Sequence, residues 1–145
     1  MAFRFDKLTV KAQEAVQRAH GLAQDLGNQQ ITPLHVLAAL VQEEQGLVRP
    51  LLQKIGANVK QFESILEGEL RRLPKVTGAG GDVGLNSAAQ KVLEASQNAA
   101  QKMKDQFVST EHLLIALSQV DDQAKRLLEM HGIEESDVLN ALKSV

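Results

Sequence analysis

Shifted by 77 positions, the chain falls on itself. The segment TPLHVLAAL, Thr32 to Leu40, meets STEHLLIAL, Ser109 to Leu117, so that His35 meets His112 (112 − 35 = 77). Without a gap, Leu8 falls on Leu85, Ala12-Gln13 on Ala89-Gln90, Ala23-Gln24 on Ala100-Gln101 and Gln29 on Gln106. After one deletion near residue 123 the shift becomes 76: Leu51-Leu52 meets Leu127-Leu128, Gly56 meets Gly132 and Leu66 meets Leu142. Register held over so many apolar and glycine positions marks an internal duplication. It restricts the fold sharply. A unit of about 70 residues makes a marginal core alone, so the two copies are expected to pack on each other about a pseudo-twofold axis.

Each copy reads as four helices. Thr9 is a suitable N-cap for a helix in which Val10, Ala12, Ala15, Val16, Ala19, Leu22, Ala23 and Leu26 recur at helical spacing until Gly27. Thr32 caps a second helix with Pro33 at its first position, where a missing N–H costs nothing, and Gly46 is expected to close it. A third, about Leu47 to Ile55, stops at Gly56; Asn58 with Gln61 resembles a capping box for a fourth through Phe62, Ile65, Leu66 and Leu70. In the second copy Ser87 with Gln90 opens the first helix, Ser109 the next, and Gly132 punctuates the third and fourth. No segment sustains period-two alternation. The expected class is all-α, one domain over residues 1–145, with repeats at about 5–73 and 85–145 joined by the glycine-rich connector 74–84, PKVTGAGGDVG.

Composition removes several classes of function. A net charge of −2 offers no basic field for nucleic acid or an anionic membrane. Aromatic residues are Phe3, Phe5, Phe62 and Phe107 alone, too few for base-stacking platforms. Without cysteine there is no disulfide framework, thiol nucleophile or thiolate metal site. No apolar run approaches a membrane span of about 18 residues and MAFRFDKLT is not a signal peptide, so the chain reads as cytoplasmic.

The candidate sites are few. His35 and His112 each stand at about the third residue of a helix, where an imidazole can bond back to the capping residue; with no HExxH or other His/carboxylate cluster, a metal site is not expected. GAGGDVG lacks the lysine and flanking strand of a phosphate-binding loop. The carboxylate pairs Glu43-Glu44, Asp121-Asp122 and Glu134-Glu135 read as solvated helix ends, and no G-x-S-x-G elbow is present. Nothing argues for an enzyme. The copies differ most informatively at Glu111, whose counterpart is Leu34. A carboxylate there gains from the helix dipole, and Asp105 before the same helix is a plain turn residue, yet loop residues on a rigid scaffold often bind ligands.

The stretches FDKLTVKAQEAVQRAHGLA, NQQITPLHVLAAL, RLPKVTGAGGDV and DQFVSTEHLLIAL resemble the Clp N-domain family over essentially the whole chain, in the form carried by ClpB-type AAA+ disaggregases. The resemblance implies two four-helix repeats related by a pseudo-twofold. It also implies a client-engaging domain that sits on a hexameric ATPase ring and captures exposed apolar segments of unfolded or aggregated polypeptides. The family's functional positions match Thr9, Asp105 and Glu111, with groove walls that include Val10 and Leu93. ClpC- and ClpA-type domains usually carry a glutamate where this chain has Leu34, a departure from a duplicated site for phosphorylated arginine. No cofactor is implied for this domain; ATP and magnesium sites are expected in AAA+ modules beyond Val145. The alternative is a free-standing adaptor or structural subunit that docks on another Clp ATPase. A Walker A motif downstream of residue 145 separates the two.

Overall fold

The computed structural model describes residues 4–75 and 83–144. Most of the connector (76–82) therefore lies outside the described residues. Among them, the first repeat forms α1 (Val10–Asp25), α2 (Pro33–Gln42), α3 (Val48–Ile55) and α4 (Val59–Arg71). The second forms α5 (Ser87–Lys102), α6 (Thr110–Gln119), α7 (Gln123–Met130) and α8 (Glu135–Lys143). The all-α, double-repeat expectation holds, and among the described residues strand is confined to two residues each in β1 (Gln30–Ile31) and β2 (Gly84–Leu85).

The centre is built on α2 and α6. Residues 33–41 of α2 and 112–118 of α6 are all buried, as expected of helices apolar on every side. The two pack against each other across the repeat interface, α1 covers α2 and α5 covers α6. The fully buried residues of α1 are alanines alone, Ala12, Ala15, Ala19 and Ala23, with Val16 and Leu22 partly buried against the core, and such a small-residue face permits close helix approach. The largest fully buried side chains include Phe62, Leu37, Leu40, Leu52, Leu66, Leu93, Leu114 and Leu117. At about 1.5–3 kcal/mol for each such group removed from water, this shared core stabilises both repeats together.

Two short parallel pairings stitch the repeats, and each is the image of the other. Ile31 pairs with Leu85 and Leu8 with Val108; adding 77 to Leu8 gives Leu85, and adding 77 to Ile31 gives Val108. The backbone N–H of Thr9 donates to Val108 O at 2.9 Å, and that of Asn86 to Ile31 O at 2.9 Å. Each repeat thus begins by pairing with the loop between the first two helices of the other. These extended residues lie in connections, where one or two residue pairs carry no alternation for a sequence pattern to reveal.

Two helix ends differ from expectation. The N-cap of α5 is Asn86, not Ser87: its Oδ1 accepts from Ala89 N–H at 2.8 Å, matching Thr9 one shift earlier. α2 ends at Gln42, because Glu43 takes an extended conformation (ψ 99°), four residues before the Gly46 expected to close it. Among the carboxylates read as solvated ends, Asp122 caps α7, and Glu134 forms a capping box with Asp137 at the start of α8. Asn58 caps α4 as expected, accepting from Gln61 N–H at 3.1 Å.

Candidate functional site

Thr9 stands where the two repeats join. Its Oγ1 accepts from Ala12 N–H at 3.2 Å as N-cap of α1, while its own N–H is held by Val108 of the other repeat. Because Ala12 and Ala15 take the inward positions of the first turns, Val10 points outward and is 71% exposed. Val108, in the α5–α6 loop, also donates its N–H to Lys7 O at 2.8 Å. The preceding Phe107 is 47% exposed, and Lys7 Nζ lies 5.9 Å from its ring centroid, within cation–π reach. The structure thereby brings Thr9 alongside the loop that carries Asp105 and leads into Glu111 in the first turn of α6.

The histidines are satisfied core groups. His35 Nδ1 accepts from Thr32 N–H at 2.8 Å, and His112 Nδ1 accepts from Ser109 N–H at 2.9 Å, closing a capping box at each helix start. With Nδ1 as acceptor, the proton of each neutral ring sits on Nε2. That N–H donates to Asn28 Oδ1 in the first repeat and to Asp105 Oδ2 in the second, both at 2.8 Å. Burial pushes the pKa of His35 down to about 4. Among the described residues no group of three His, Asp or Glu side chains converges to hold a metal ion.

The other expected site residues divide. Glu111 is half-buried in the first turn of α6, where its carboxylate accepts from the Ser109 hydroxyl and faces the positive end of the helix dipole. Its counterpart Leu34 is 1% exposed and belongs to the core. Thr9, Val10, Asp105 and Glu111 all lie within three residues of the Thr9–Val108 backbone bond. Leu93 does not: on the inward face of α5 with Ala89, Val92 and Ala100, it is 1% exposed and offers no surface as a groove wall in this conformation.

Sequence reasoning missed two features. Phe107 is one; the signal was its mismatch under the duplication, since the equivalent residue is Gln30 (30 + 77 = 107), just as Val10 is matched by Ser87. The other is a cleft of about 130 Å³ that involves Ala15 and Arg18 of α1, Leu40 of α2, Glu43, Leu47 and Thr110. Arg18 donates to Ala39 O at 3.2 Å and to Glu43 Oε2 at 3.1 Å, and its guanidinium holds the Glu43 carboxyl below the usual carboxylate range. The equivalent positions in the second repeat are Ala95 and Val120, so the ion pair belongs to the first repeat alone. The arrangement offers no nucleophile–base pair. What it presents is a partly apolar edge with a carboxylate beside it and a polar-ended cleft adjoining it.

Comparison with known proteins agrees with this architecture. The family model described as the Clp repeat (R) N-terminal domain matches residues 7–131. The chain is 43% identical over its full length to the chaperone protein ClpB of Rhodopirellula baltica and 36% identical over 98% of its length to that of Vibrio cholerae. It spans only 16% and 17% of the lengths of those two relatives. Among solved structures, the Hsp104 N-terminal domain from Candida albicans superposes with a TM-score of 0.83 at 24% identity, covering 93% of this chain and 88% of that one. The ClpV N-domain in complex with a VipB peptide gives 0.76 at 16% identity, covering 97% and 94%. No helix of the described residues is long and apolar enough to cross a membrane. The duplicated helices, the cross-paired repeat starts and the family match together identify the chain as a member of the Clp N-terminal domain family, similar to the N-terminal portion of ClpB chaperones.

Proposed function

We propose that this domain is the client-engaging module of a ClpB-type chaperone, and that it binds exposed apolar segments of unfolded polypeptides at the Thr9–Glu111 edge. The observation that carries the reading is a broken symmetry. On a duplicated scaffold the two repeat junctions have the same backbone pairing but different side chains. One exposes Val10 and Phe107, while its image carries Ser87 and Gln30, both exposed and polar. Structural duplication alone would leave the two junctions alike. Apolar groups kept at 71% and 47% exposure gain free energy when a client side chain covers them, and the nearby carboxylate of Glu111 favours basic neighbours in the client. A related N-domain, that of ClpV, has been solved with a VipB peptide, so a protein ligand is in keeping with this fold. In the longer protein the module would hand its client to an ATPase ring.

The test exchanges the junctions. Val10→Ser with Phe107→Gln installs the polar residues of the opposite edge. Binding of a reduced, carboxymethylated, permanently unfolded protein is followed by fluorescence anisotropy. The parent domain should capture the probe and the folded double variant should lose most of that capture. Equal capture by both would place the client elsewhere.

A further inference from the structure

Asp105 occupies in the second repeat the place of Asn28 in the first (28 + 77 = 105). Each side-chain oxygen meets a histidine Nε2 at 2.8 Å, and the rings they meet, His35 and His112, are 0% and 1% exposed. In both rings Nδ1 is already used by the capping residue's backbone N–H, so Nε2–H needs one acceptor. A neutral amide oxygen fills that need at His35. The negative charge of Asp105 is therefore not what the contact requires.

The contact braces a loop. His112 lies in the first turn of α6 and Asp105 just after α5, so their bond closes the segment 106–111 into a fixed shape. A second bond, Asp105 N–H to Ala100 O at 2.8 Å, ties the same residue to the end of α5. Between the two anchors lie Phe107 and Val108, and Val108 holds both Lys7 and Thr9. The side chain of Asp105 keeps 45% of its surface in water, where its charge is solvated and screened.

We propose that Asp105 is a positioning residue: acting through His112, it sets the loop that presents Phe107 and meets Thr9, and its charge makes no necessary contact with a client. The proposal rests on the client-binding reading above. Two substitutions separate shape from charge. Asp105→Asn keeps an oxygen for His112 Nε2–H and reproduces the Asn28–His35 pair without the charge. Asp105→Ala leaves a buried imidazole N–H without a protein acceptor.

Capture of the same unfolded probe, and amide hydrogen exchange at Thr9 and Val108, are measured for the parent and both variants. Asp105→Asn should stay within about twofold of the parent in both. Asp105→Ala should weaken capture and speed exchange roughly tenfold, the scale of one unsatisfied buried donor. Capture lost by Asp105→Asn while its exchange stays parental would overturn the proposal, because the charge would then meet the client. Parental capture and exchange in Asp105→Ala would overturn it as well. If the alanine variant does not fold, Asp105→Asn against the parent still decides by the same criterion. If the parent itself fails to capture the probe, the client-binding reading falls, and exchange alone decides the brace: acceleration in Asp105→Ala only upholds it, and parental exchange there removes it.

Discussion

Lys104 occupies in the second repeat the left-handed backbone position that Gly27 occupies in the first, with φ 60° and 72° respectively (27 + 77 = 104). A side chain in that region crowds its own backbone, at a cost of about 1–3 kcal/mol. Glycine avoids the crowding but gives the unfolded chain more freedom to lose, about 0.4–1 kcal/mol. The difference favours glycine. Lys104→Gly should therefore raise stability by about 1 kcal/mol, and Gly27→Ala should lower it by roughly 1–2 kcal/mol. Urea-unfolding midpoints check both. A drop in the midpoint of Lys104→Gly would mean that the lysine side chain contributes more than its backbone strain removes.

The His35 ring gives a signed pH dependence. Burial holds its pKa at about 4 in the folded domain, against 6.5 for an unburied histidine. The unfolded chain takes up a proton as pH falls through 6.5, and the folded ring resists until about 4. Stability from this group is thus complete above pH 6.5, declines between 6.5 and 4, and is level below, a loss of up to about 3 kcal/mol. The bonding agrees with that direction, because a protonated Nδ1 would face the Thr32 N–H it now accepts. His35→Gln keeps a capping side chain that does not titrate. Its stability-versus-pH curve, measured by urea unfolding from pH 7.5 to 4, should be flatter than the parent's over this window. Parallel curves would assign the slope to other groups.

The duplication was legible because apolar and glycine positions survive a shift of 77, and those residues set helix faces and ends. Caps with a short polar side chain before an apolar run, Thr9, Thr32 and Ser109, were legible for the same local reason. Asn86 was not, because Ser87 with Gln90 offers an equally good capping pattern one residue later; only the image of Thr9 distinguishes them. The site was harder to see. Leu93 belongs to an apolar helical stripe, and periodicity cannot tell which member of a stripe meets a cleft and which meets the neighbouring helix. Phe107 is a lone aromatic in a loop, where no period exists. The Arg18–Glu43 pair joins residues 25 positions apart (43 − 18 = 25), a proximity created by the packing of α1 on α2.

Leu93 separates folding from binding. Removing a fully buried leucine costs about 2–5 kcal/mol through lost transfer energy and the cavity left behind. Leu93→Ala should therefore unfold at markedly lower urea, and any loss of client capture should disappear once the comparison is restricted to temperatures at which the variant is folded. If the folded variant still binds the unfolded probe poorly, Leu93 reaches the client in a conformation other than this one.

Thr9 and Glu111 each have a local duty that must be subtracted before a binding role is assigned. Thr9→Ala removes the hydroxyl that accepts from Ala12 N–H and should cost about 0.5–2 kcal/mol of stability. Its backbone bond to Val108 survives the substitution, so the repeat junction should persist. Glu111→Ala removes a carboxylate from the first turn of α6 and frees the Ser109 hydroxyl, and the dipole contribution is smaller, about 0.3–1 kcal/mol. Both variants should stay folded by circular dichroism. If the edge binds clients, capture of the unfolded probe should then fall further than these stability losses require, and the fall for Glu111→Ala should shrink as salt screens its carboxylate. Glu111→Gln distinguishes the charge from the packing: it should follow the alanine variant in capture at low salt while retaining more of the parent's stability. Parental capture by folded Thr9→Ala and Glu111→Ala would reduce both residues to helix caps and leave Val10 and Phe107 as the groups that meet the client.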